Sequence, residues 1–153
     1  MKKIFLLVSL CIGFTAPQVF ADAAEEIKLA REIAQKQKQL IILENLDLTE
    51  AEEQAFLPVY MEYQKARRFN NEALGRLIID FAENYDVMTN AKALSLLDDV
   101  LTVKEGRMTI KRGYVDKFKA VLPGKKVARY YQIESKLEAL AEVKLAEVIP
   151  LLQ

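Results

Sequence analysis

Three kinds of residue in this chain could do chemistry, and their spacing sets limits on each. The paired acids Asp98-Asp99 and Glu52-Glu53 are the first. Adjacent positions on a helix diverge by about 100°, so neither pair can converge on one substrate as acid and base. They read as solvated charges. Met61, Met88 and Met108 are the second group, but they lie far apart. There is no His anywhere, and the one Cys sits at position 11. This removes Ser-His-Asp and Cys-His nucleophile systems and the HExxH zinc site. Soft and borderline metals want His or Cys, so neither a metal nor any other cofactor is expected. The third group is basic. Lys104, Arg107, Lys111, Arg112, Lys117, Lys119, Lys125, Lys126 and Arg129 face only Glu105 and Asp116 over that stretch, whereas Asp22 to Glu62 holds ten acids against four bases. Charge of this kind attracts and holds a partner without transforming it. We expect a binding protein, not an enzyme.

The start of the chain bears on where it works. Lys2 and Lys3 precede an apolar run from Ile4 to Phe14, and Val19-Phe20-Ala21 places small residues where a signal peptidase reads. That pattern predicts a secretory leader over residues 1–21, cleaved before Asp22, and one all-helical domain over 22–153. Cys11 would leave with the leader, and Leu10 is too large to precede a lipidated Cys. Residues 22–153 then carry 20 basic and 22 acidic groups. A near-neutral exported protein is a poor ligand for nucleic acid.

The elements that position these residues are helices. No stretch alternates with period two for long, and five Gly and four Pro leave few turns. A first helix runs from Asp22 to Glu44, opened by Asp22, Glu25 and Glu26, which favour a helix N-terminus. Asn45-Leu46-Asp47 breaks it. Leu48-Thr49-Glu50-Ala51-Glu52 is a capping box in which Thr49 caps the amide of Glu52 and Glu52 reaches back. The helix it opens carries Phe56, Val59, Tyr60, Tyr63, Ala66, Asn70, Ala73, Leu74, Leu77, Ile78, Phe81 and Tyr85 on one stripe, with a kink expected at Pro58. Met88-Thr89-Asn90-Ala91-Lys92 repeats the first cap, with Thr89 as N-cap. The third helix is expected to run to Leu122-Pro123-Gly124. It bears a heptad stripe, Leu94, Leu101, Met108, Val115 and Leu122, of the kind coiled coils use. A second stripe comprises Leu96, Val100, Val103, Ile110, Tyr114 and Val121. A helix needs one stripe to fold, so the other is either sandwiched or displayed. A last helix starts near Lys125 and stops before Pro150. The fold class is all-α: a long kinked helical hairpin with flanking N- and C-terminal helices, four in residues 22–153.

A leader followed by Leu48-Thr49-Glu50-Ala51-Glu52 and Met88-Thr89-Asn90-Ala91-Lys92 opening two long helices resembles the Spy/CpxP family of periplasmic helical proteins, marked by paired Leu-Thr-x-x-Gln motifs. Phe56-Leu57-Pro58-Val59-Tyr60 and the ending from Leu122-Pro123-Gly124 to Glu134 look like an uncharacterised branch of it. Glu52 and Lys92 stand where the motif has Gln, and Met88 where it has Leu. The resemblance implies a periplasmic location in a Gram-negative bacterium and an antiparallel, cradle-shaped homodimer. It implies two activities: an ATP-independent holdase for unfolded or stress-damaged envelope proteins, or a regulatory adaptor that modulates a sensor kinase or an anti-sigma factor. Metal sensing, known among relatives of the family, is disfavoured here by the missing His and Cys. For clients, the expected surface combines positive charge with large side chains on the two long helices: Arg67, Arg68, Phe69, Arg76, Arg107, Lys111, Arg112 and Tyr114.

Overall fold

The computed structural model describes residues 16–152; most of the leader expected over 1–21 lies outside the described residues. Five α-helices follow in order: α1 (Ala16–Leu46), α2 (Glu50–Asn84), α3 (Asn90–Gly113), α4 (Val115–Lys119) and α5 (Gly124–Val148), with a single 3-10 turn at Tyr85–Val87. Among the described residues there is no strand, and no helix is long and apolar enough to cross a membrane. The fold is all-α.

The described residues divide into two units between Ile41 and Ile42. In the first, α1 presents Leu29, Ile33, Leu40 and Ile41 as exposed side chains. The second unit holds the core and begins with the last turn of α1, where Ile42 and Leu46 are buried. Asp47 then turns the chain at φ 52°, a left-handed conformation that Asp tolerates better than most residues.

Both caps form as the sequence predicts. Glu52 N–H donates to Thr49 Oγ1 at 3.3 Å and Thr49 N–H donates to Glu52 Oε2 at 2.8 Å, completing the box. Thr89 Oγ1 accepts from Lys92 N–H at 3.2 Å, but Lys92 cannot reciprocate and pairs with Asp80 at 2.7 Å instead. α2 runs through Pro58 unbroken. Pro58 is exposed, so the Gln54 carbonyl that loses its helical donor lies where water can reach it. All twelve residues of the predicted α2 stripe are buried or half-buried.

α2 and α3 form the hairpin. Asn70 Nδ2 donates to the Val103 carbonyl at 2.8 Å, tying the two helices at mid-length. The approach is close: a Cβ on Gly106 would sit 3.0 Å from Asn70 Nδ2. α5 runs parallel to α2 and antiparallel to α3. Its start meets the corner between α1 and α2 through Lys126 to the Asp47 carbonyl and to Glu52, and its end meets the far end of α2 through Tyr85 Oη to the Leu151 carbonyl.

The third helix departs from expectation. A single helix from Thr89 to Leu122 does not form, because α3 ends at Gly113. Gly is the weakest helix former after Pro, and Tyr114 (φ −92°, ψ −8°) leaves the helix there with its N–H on the Ile110 and Arg112 carbonyls. The short α4 then carries Phe118 into the core. The heptad stripe is split by this break: Leu122 is buried, whereas Leu94, Leu101 and Met108 are exposed. The second stripe faces inward.

Candidate functional site

The core sets the frame. Phe56, Tyr60 and Tyr63 of α2, Phe118 of α4 and Tyr130 of α5 are all but fully buried and pack ring on ring. Phe118 is the hub, with Tyr130 at 4.6 Å, Phe56 at 5.6 Å, Tyr63 at 5.8 Å and Tyr131 at 5.9 Å between centroids. Above this cluster lies a buried ion network. Arg67 donates to Glu134 at 2.7 Å and contacts Glu138 at 2.6 Å, while Glu134 also accepts from Gln64 at 3.0 Å and from the Tyr130 hydroxyl at 3.2 Å. Lys111 adds a second cation, 3.2 Å from Glu138. Two acids therefore meet two bases, and the network is neutral.

Burial, and then the nearby Glu134 carboxylate, push the Tyr130 and Tyr60 hydroxyls well above the ordinary tyrosine range. The same two causes push Tyr131 up to about 12. A group whose folded pKa is raised contributes stability that is complete below its unfolded pKa, near 10.0 here, and is lost as pH rises beyond it. Helix content should accordingly hold to about pH 10 and then collapse cooperatively. Tyrosinate absorbance should rise in step with the loss of circular dichroism. Smooth tyrosine titration at intact helicity would mean that the rings are not sealed in the core.

Against this frame the eight residues expected at the client surface separate. Arg67 is corrected outright: it is 5% exposed and belongs to the ion network. Its position explains this, since it follows Tyr60 and Tyr63 by seven and four residues and so lies on the buried stripe. Arg107 and Lys111 are largely covered, bound to Glu142 and Glu138 of α5. Tyr114 is half-buried, its ring 5.2 Å from Tyr63 and its hydroxyl donating to Glu62. Arg68, Phe69, Arg76 and Arg112 are exposed. Phe69 is 77% exposed, an unusual state for a phenylalanine, and it shares one face of α2 with Met61, Arg68, Arg76 and Ile79.

The first half of the predicted heptad stripe is the one displayed on α3, and the structure adds Leu97 to it. Leu94, Leu97, Leu101 and Met108 are exposed and follow the three-four spacing of a coiled-coil interface. Lys104 occupies the next position of that pattern, and Arg112 extends it by a turn. Beside it, α2, α3 and the end of α5 enclose an apolar groove of about 450 Å³ lined by Leu74, Phe81, Leu96, Val100, Leu145 and Ile149 among others, with Lys104, Arg107 and Glu142 as its polar members. Among the described residues, no group of three or more His, Cys, Asp or Glu gathers in a way that could hold a metal ion.

No protein family, curated protein or solved structure matches this chain.

Proposed function

We propose that the protein is an ATP-independent holdase of the periplasm, binding unfolded or stress-damaged envelope proteins as a homodimer. The observation that carries this reading is the α3 seam. A helix with Leu96 buried and Val100 and Val103 half-buried on one side presents a second apolar stripe to solvent, with Lys104 and Arg112 among its residues. Exposed contiguous apolar surface of that kind marks an interaction site, and cations within it draw in acidic or unfolded polypeptide before apolar contact forms. Phe69, Arg68 and Arg76 give α2 a similar face. The leader-like start of the sequence supports export, and the paired caps support the Spy/CpxP resemblance.

The test is light scattering from a denatured model client diluted, without ATP, into the protein expressed at full length and purified as the cell processes it. Suppression near equimolar ratio is expected. The triple variant Leu94→Ser/Leu101→Ser/Met108→Ser alters only exposed side chains, so it should fold and lose most of that suppression. A folded triple variant as protective as the parent would remove the seam from the client surface. No suppression by the parent at several-fold excess would replace the holdase reading with the regulatory adaptor, whose hallmark is one stoichiometric partner.

A further inference from the structure

We propose that the groove between α2, α3 and α5 binds a single long aliphatic chain ending in a carboxylate, with Lys104 and Arg107 holding the head group. Its volume of about 450 Å³ falls within the range of small-molecule sites, which bury most of a ligand against apolar walls and orient it with a few polar groups. Here the walls are aliphatic or aromatic from Phe81 and Met88 at one end to Val100 near the other, and the cations stand together beyond Val100. From Ala93 to Arg107 the groove follows α3 for roughly 20 Å at the rise of an α-helix. A long apolar trough with charge at one end fits an extended acyl chain. An aromatic metabolite or a polar peptide would leave most of those walls unmatched.

The cationic end holds one carboxylate, Glu142, for two cations. Lys104 is exposed and has no ion-pair partner among the described residues. Arg107 spends one guanidinium nitrogen on Glu142 at 3.2 Å, but its Nε is buried without a hydrogen-bond acceptor. A buried donor left unmade costs about 1–3 kcal/mol, so the site gains when an acceptor arrives. Glu142 is 62% exposed and can swing out at little cost, since solvated ion pairs contribute about 0–1 kcal/mol. A carboxylate seated between Lys104 and Arg107 would satisfy both cations, and charge-assisted bonds of this kind are the strong ones. At the opposite end, the bond from Tyr85 Oη to the Leu151 carbonyl at 2.8 Å fastens the chain beside Leu152, which lines the groove. This site shares Leu97 and Lys104 with the outer seam.

The experiment is displacement of a fluorescent fatty-acid analogue from the processed full-length protein, by palmitate and by hexadecanol, below their aggregation limits. Saturable binding at one palmitate per chain is expected, with hexadecanol weaker by about tenfold, the worth of one charge-assisted bond. Octanoate, too short to fill the trough, should displace poorly. The Lys104→Ala/Arg107→Met variant, checked for folding by circular dichroism, should lose the preference for palmitate while keeping hexadecanol affinity. Equal affinity for acid and alcohol in the unaltered chain would overturn the head-group assignment. Absence of saturable binding by any of the three would overturn the site, as would a groove already filled by a second copy.

Discussion

Replacing Arg67 by methionine destabilises the protein by about 3–5 kcal/mol, the range for breaking a buried ion pair by removing one partner. Glu134 is fully buried and Glu138 mostly so, and Arg67 is the cation that both touch. Without it, Lys111 still serves Glu138, while the donors that hold Glu134 at the Gln64 amide and the Tyr130 hydroxyl are neutral. Methionine replaces the volume without the charge, so the loss reports electrostatics and not a cavity. In Arg67→Met/Glu134→Leu both charges leave together, and more than half of the lost stability should return. Urea unfolding of the four proteins in that cycle measures the coupling directly. A single-variant cost below about 1 kcal/mol, the worth of a solvated pair, would show that water reaches this network.

Phe118→Ala should cost about 3–5 kcal/mol as well, by a different route. The ring is fully buried and touches aromatic neighbours from α2, the α3–α4 junction and α5. Its removal leaves a cavity that a cage of tyrosines fills poorly, since hydrogen bonds already hold the Tyr114, Tyr130 and Tyr131 hydroxyls in place. α4 has no other buried residue, so the variant also frees it from the core. Unfolding should become less steep in urea if the segment detaches locally, and stay equally steep if the whole domain weakens together. A Phe118→Leu variant that recovers most of the stability would confirm that filled volume is what the site needs. A cost of under about 1 kcal/mol for alanine would contradict the packing described here.

Much of the fold was legible because its signals are local. Thr49 and Thr89 announce their helices through residues three positions away, and the α2 stripe needs only a helical period. The break at Gly113–Tyr114 was hidden by the heptad count: Leu94 to Leu122 keeps its spacing whether or not the backbone stays helical. A period counts residues, not geometry. Gly113 was the available warning. Arg67 was misplaced because charge was weighed above position. A cation on the Tyr60–Tyr63 stripe and an anion on the Val127–Tyr130 stripe are a matched pair, and that match was the signal that both are buried. The groove was not readable at all, because its three walls come from segments far apart in the chain whose mutual placement depends on the packing of α5. In the sequence Lys104 appeared only as one of nine bases, and Arg107 as a residue expected at the client surface.

The route by which α5 joins the core governs the order in which the molecule can assemble. Tyr130 and Glu134 meet Phe56, Tyr60, Gln64 and Arg67, so the contacts that seal the interior join residues 67–74 positions apart. Contacts this distant form late, after the chain between them has been confined. On a ribosome adding about 5–20 residues per second, α2 and α3 spend seconds as an open pair before α5 emerges. Through that interval the Arg67 side chain has no acids to meet and the aromatic face of α2 stays wet. The nascent chain therefore stays open until α5 is made, and its interior is sealed in one late step.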